Sequence, residues 1–177
     1  MTPFVDRIVR AAKLDIQLYE EVEADKSAMG QAMTVVVLSS LAGGIGFMSQ
    51  AGLKGLFIGT VGSLVGWYVW AFLTYIIGTK LLPEPQTSAD HGELLRTIGF
   101  SSAPGMIRIL GILPGLGTIT NFLASGWMLI AMVIAVRQAL DYESTYRAIG
   151  VCLIGWVAQA ALMMLLLMLM GGPPEPL

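Results

Sequence analysis

The sequence predicts an all-α, polytopic membrane helix bundle: five transmembrane helices preceded by an N-terminal amphipathic helix. Three observations lead there. Only 12% of the 177 residues are charged against 55% hydrophobic, with a mean hydropathy of +0.74, whereas a soluble domain carries about 25% charge. Charge-free runs cover 27–53, 55–79, 109–136 and 148–174, each long enough for the roughly 20 apolar residues of a crossing helix. The Lys and Arg residues fall almost wholly on one side of those runs.

Composition also excludes several function classes. A net charge of -2 with no Lys/Arg cluster argues against a nucleic-acid surface. Cys152 is the only cysteine, so no intrachain disulfide, CxxC pair or Cys-rich zinc site can form. The start, MTPFVDRIVRAAKLD, carries a charge every few residues where a signal peptide needs an unbroken apolar stretch. Insertion therefore falls to the first hydrophobic run.

Residues 1–26 read as a cytoplasmic amphipathic helix starting at Thr2 and Pro3. At 100° per residue Phe4, Val5, Ile8, Val9, Ala12, Ile16, Tyr19 and Val22 share one face. Asp6, Arg7, Arg10, Lys13, Gln17, Glu20 and Glu21 occupy the other. Such a helix either lies in the membrane interface or docks on the bundle, and Asp15, intruding on the apolar face, tilts slightly towards docking.

The membrane domain, residues 27–172, starts with spans at about 29–50 and 55–79. The string SQAGLKG, residues 49–55, turns the chain between them. After a polar loop, LLPEPQTSAD, a short helix begins at Asp90, with Glu93 completing a capping box. The 39 residues from 98 to 136 contain one charge, Arg108. As a single helix they would measure about 58 Å against a hydrocarbon core of about 30 Å, so they must fold back. Pro114 and the glycines of GILPGLGT, residues 111–118, supply the break. That makes a short third span at 98–113 and a fourth at 118–137. A fifth, 148–170, stops at GGPP, and 173–177 form an external tail.

Orientation follows from positive charge. With the N-terminus inside, the cytoplasmic segments hold Arg7, Arg10, Lys13, Lys26, Lys80, Arg96, Arg137 and Arg147, and the outer ones hold Lys54. If the third segment were re-entrant, Arg137 and Arg147 would move outside. The count favours a multi-pass cell-membrane protein with a cytoplasmic N-terminus and an external C-terminus.

Chemistry inside a membrane usually shows as ionisable residues within the spans, and Arg108 is the one candidate. It either snorkels to headgroups or contacts a lipid or other anion. No Asp, Glu, Lys or His in the spans can pair with it, so a proton relay has no parts. His91, the only histidine, reads as a solvated loop residue and leaves no multi-His metal site. The serines Ser39, Ser40, Ser63, Ser101, Ser102 and Ser125 lack a base, and no cofactor is implied. The methionines of ALMMLLLMLM read as lipid-facing packing.

Small residues are informative. Gly62 with Gly66, Ser40 with Gly44, and Ala42 with Gly46 have the spacing of close helix contacts. They would pack the first hairpin internally, or else form an oligomer interface. Trp67, Tyr68 and Trp70 sit mid-span, away from an interfacial belt, so Trp67 and Trp70 fill the core or meet a partner or cofactor.

The N-terminal segment ending LYEEVEAD, the paired first spans, ELLRTIGFSSAP and the ILPGLG turn together resemble the bacterial form of the YIP family, the Ypt/Rab-interacting integral membrane proteins. The resemblance covers nearly the whole chain. It rests on Gly99, Phe100 and Pro104, similar to the family's Gly-Tyr-small-x-x-Pro signature, and on Pro114 in the turn that follows. It implies a five-span fold with a cytoplasmic N-terminus. For eukaryotic members it implies Rab-type GTPase partners. This chain lacks the acidic DLxGP motif and a long cytoplasmic arm, which argues against that partner. The sequence is thus expected to encode a non-enzymatic membrane scaffold or accessory subunit, surrounded by lipid and associated with other membrane subunits or copies of itself. The rival expectation is a small permease or lipid-handling protein with a cavity near Arg108.

Overall fold

The computed structural model describes residues 3–46 and 48–169. The predicted GGPP stop, the tail 173–177, residue 170 of the fifth span and Thr2 lie outside them. Among the described residues the chain is helical, with no strand. Its elements are α1 (Pro3–Ala12), α2 (Ile16–Ala24), α3 (Met29–Gly46), α4 (Met48–Ile76), α5 (His91–Phe100), a 3₁₀ run (Ala103–Ile112), α6 (Gly117–Ala139) and α7 (Thr145–Leu169). Four helical stretches are long and apolar enough to cross a membrane: Lys26–Gly46, Gly52–Leu81, Gly117–Ala139 and Thr145–Leu166. The SQAGLKG turn is realised at Gly52, whose φ of 60° breaks α4 near its start.

The single helix predicted for 1–26 is two helices. Leu14 adopts φ 62°, and the Asp15 amide donates to the Arg10 carbonyl at 3.1 Å, closing α1 with a Schellman-type turn. Asp15 is thereby no intruder on an apolar face. Its carboxylate caps α2 by accepting from the Gln17 amide at 3.0 Å and binds Arg10 at 2.8 Å. Arg7 adds contacts to Glu21 and Asp25 at 2.7 and 2.9 Å, clamping α1 on α2. Leu18, Tyr19 and Val22 of α2 are fully buried against the bundle, each contributing about 1.5–3 kcal/mol relative to exposure.

The third hydrophobic segment is built from two helix types. Asp90 and Glu93 form the predicted capping box, at 2.8 and 2.6 Å. The α-helix ends at Phe100, and the chain continues as a 3₁₀ run with Pro104 in its first turn. This segment runs beside α3 in the same direction. A Cβ on Gly99 would lie 2.8 Å from the Ala32 Cβ, Gly105 abuts Ser39, the Arg108 side chain crosses Gly43, and Gly46 abuts the Arg108 carbonyl and Gly111. Contact thus advances along both strands of the pair until the turn at Pro114, where Gly115 takes φ 82°. From there α6 returns, and Gln138 at its end donates to Glu20 of α2. Tyr142, just beyond, donates to the Gly78 and Leu82 carbonyls at 2.9 and 2.7 Å. The end bearing α1 and α2, here the near end, therefore also holds the α6–α7 connection.

Small residues pack differently from the expectation. Ser40 bonds Ser63 at 3.1 Å, and Gly44 lies under Leu56, so these two do close the α3–α4 hairpin. Gly46 instead receives the 3₁₀ run, and Gly66 faces Gln159 of α7. Gly62 meets nothing within 4 Å. Ala42 is buried.

Gly46→Ala drives a methyl into a backbone carbonyl that cannot swing aside. It should cost about 1–3 kcal/mol, read as a lowered thermal midpoint in detergent. Gly62→Ala, made where space is open, should raise the midpoint slightly through about 0.5–1 kcal/mol of helix propensity.

Candidate functional site

The α3–α4 pair, the third segment, α6 and α7 enclose a cavity of about 830 Å³. Small residues stand where α7 meets α4. Gly155 lies against the Trp70 ring and Gly66 against Gln159, which leaves the space between these lines unfilled. Its volume lies within the range of small-molecule sites, about 300–1,000 Å³. Most of the wall is apolar, formed by Trp67, Trp70, Trp156, Met128, Met132 and Met163 among others. Arg108, Gln159, Ser39, Ser40, Ser63 and Ser102 supply the polar groups.

Two of those groups lack partners. The Arg108 Nε and the Gln159 Oε1 are buried without a hydrogen bond among the described residues, although buried polar groups are ordinarily paired. The Arg108 side chain extends across Gly43, with Cδ 3.4 Å and Nη1 3.9 Å from where a Cβ would stand. Gly43 thus gives the guanidinium its path to the cavity. Arginine keeps its charge in proteins, and no Asp or Glu lines the cavity to balance it. Among the described residues the wall also holds no His or Lys.

The sequence-derived candidates divide. Arg108, Trp67, Trp70, Ser40 and Gly66 line the cavity. Trp67 and Trp70 are buried, their indole N–H groups pointing to the Leu95 carbonyl at 3.0 Å and the Met132 sulfur at 3.1 Å. Gly99, Phe100 and Pro104 are buried outside the cavity wall and shape the third segment, while Pro114 sits exposed in its turn. Gly44, Gly46, Ala42 and Gly62 also lie outside the wall. Gln159 was missed, because a search for ionisable groups passes over an amide. Its signal was a lone polar side chain between Ala158 and Ala160 in an apolar run.

His91 is not the solvated residue predicted. The first turn of α5 packs beside α4, so its ring stands edge-on to Tyr68, Phe72 and Tyr75 at 5.0, 5.7 and 6.3 Å. Both ring nitrogens are buried, and burial holds the imidazole below its usual range. Arg96, counted only as a loop charge, is also buried. It donates to the Val22 carbonyl at 2.9 Å and to the Glu23 carbonyl, capping the end of α2. Among the described residues no group of three or more His, Cys, Asp or Glu side chains is placed to hold a metal ion.

No protein-family model, curated protein or solved structure matches this chain.

The near end titrates. Burial, reinforced by Asp141, Glu93 and Glu20, pushes the Glu23 carboxyl up to about 8. Because the folded value lies above the unfolded one, the contribution is complete below the ordinary Glu range of about 4.3 and is lost as pH rises through the folded value. The thermal midpoint of the wild type should therefore fall between about pH 4 and pH 8 and level off above, and Glu23→Gln should flatten that decline. An unchanged decline in Glu23→Gln would assign it elsewhere.

Proposed function

We propose that this chain is a non-enzymatic membrane protein of YIP type, crossing the bilayer five times with its N-terminus inside, that binds an anionic amphiphile in the cavity around Arg108. The buried Arg108 Nε, without a hydrogen bond in a mostly apolar wall, carries the reading. A buried charge without a partner destabilises a membrane protein, and a bound phosphate or carboxylate would relieve that cost through charge-assisted hydrogen bonds. The tryptophan and methionine walls suit the tail of the same molecule. Five crossings are supported by the course of the third segment beside α3, from Ala32 to Gly46. They are supported as well by the positive charges gathered at the near end, Arg137 and Arg147 included. The YIP reading rests on Gly99, Phe100 and Pro104, which shape that segment.

A second reading, the scaffold or accessory subunit, has one observation in its favour. Gly59 and Gly62 of α4 meet nothing within 4 Å in their own chain, which leaves room for another helix to approach.

One purified sample tests both. Titrated with dodecyl phosphate, the protein should change its tryptophan emission at concentrations where dodecylphosphocholine does not. Arg108→Gln should weaken that response about tenfold or more, the size of one charge-assisted hydrogen bond. Equal responses to both amphiphiles, or an unaltered Arg108→Gln, would remove the binding reading. A dimer mass that Gly62→Leu reduces to a monomer would favour the scaffold, and a wild-type monomer would oppose it.

A further inference from the structure

Resting on that amphiphile-binding reading, the next question is where the ligand comes from, and the cavity walls bear on it. We propose that the occupant is an acidic phospholipid of the surrounding bilayer. One acyl chain enters sideways between α6 and α7, and the headgroup is held by Arg108 and Gln159.

The cavity wall is continuous with the lipid-facing surface. Leu129 on α6 and Leu153, Trp156 and Val157 on α7 all line the cavity, yet they are 54%, 58%, 66% and 71% exposed. Residues can do both only at an opening, and these flank one between α6 and α7. Across from it Trp67 and Trp70 are 9% and 8% exposed, and Ser63, one turn earlier on α4, is the exposed lining residue of that wall. A chain entering from the side would end against their rings.

A water-borne ligand would need a polar mouth. Among the described residues the far end carries one exposed charge, Lys54, which does not line the cavity, and Ile112 and Leu113 stand exposed beside Pro114. The opening between α6 and α7 is flanked instead by apolar side chains, the route of a ligand that arrives through hydrocarbon. The site is also long: Cys152 and Met163, both on its wall, are separated by about 16 Å of helix at the α-helical rise. That length suits an extended chain.

Headgroup chemistry follows from the two unpartnered groups. A guanidinium without a carboxylate matches a phosphate, which it can grip through two parallel bonds. The Gln159 Oε1 needs a donor, which a headgroup hydroxyl supplies. Phosphatidylglycerol has both features and is the probe of choice.

The chain's own tryptophans report entry. It has four, and Trp127→Phe with Trp156→Phe leaves Trp67 and Trp70. In phosphatidylcholine vesicles doped with phosphatidylglycerol brominated on its acyl chains, the emission of these two should be quenched. The midpoint should lie at an about tenfold lower mole fraction than with brominated phosphatidylcholine. Arg108→Gln should abolish the difference, and Arg108→Lys, which keeps the charge, should retain part of it. Equal quenching by the two lipids would overturn the proposal. Arg108-dependent quenching by a brominated fatty acid added from water, without quenching by either brominated lipid, would overturn the bilayer source and leave the amphiphile reading standing. Absence of Arg108-dependent quenching with all three probes would overturn both.

Discussion

The close approach of the third segment to α3 is the constraint on which the rest of the molecule depends. Backbone meets backbone at Gly46 and Gly111, and Gly99 and Gly105 lie against Ala32 and Ser39. Distances this short are reached only where side chains are absent or small. Because the contact persists over most of α3, a segment too short to cross as a plain α-helix is carried along the bundle, helped by the longer rise of its 3₁₀ half. Three features follow: Arg108 is delivered beside Gly43, α6 starts at the end opposite α1 and α2, and the α6–α7 connection returns to the near end.

The two ends then differ in electrostatic character. At the near end the charged groups are engaged, with Arg7 and Arg10 bound to Glu21, Asp15 and Asp25, Arg96 on the last carbonyls of α2, and Arg147 against Glu84 at 3.3 Å. Arg10 and Arg7 hold the Glu21 carboxyl below its usual range. In the cavity the opposite holds, since Arg108 Nε and Gln159 Oε1 are buried without partners. The Thr74 hydroxyl and both His91 ring nitrogens are also buried without partners, but of this set only Arg108 and Gln159 line the cavity.

Much of this was legible in the residues. The predicted spans 29–50, 55–79, 118–137 and 148–170 locate the four long apolar helices to within about four residues, because few substitutes exist for an apolar surface in lipid. Pro114 and Gly115 mark the fold-back, and Asp90 with Glu93 marks the start of α5, through local backbone chemistry that any sequence displays. The break at Leu14 was illegible, since a leucine in a left-handed conformation carries no turn signature. The same blindness turned Asp15 from a cap into an apparent flaw. Arg108 was found because an ionisable residue in a span is rare. Gln159, the seat of His91 among three rings and the outward face of Gly62 depend on helix rotation and tertiary register, which periodicity alone does not fix.

The central claim is that the third segment carries the chain from one side of the bilayer to the other, so that the α6–α7 connection shares a compartment with α1 and α2. The most direct measurement uses single cysteines in a Cys152→Ser background, placed at Lys13, Leu53 and Asp141, all exposed positions, and labelled in intact cells with a membrane-impermeant maleimide. Lys13→Cys and Asp141→Cys should both stay unlabelled until the membrane is permeabilised, while Leu53→Cys labels at once. Labelling of Asp141→Cys together with Leu53→Cys in intact cells would contradict the account.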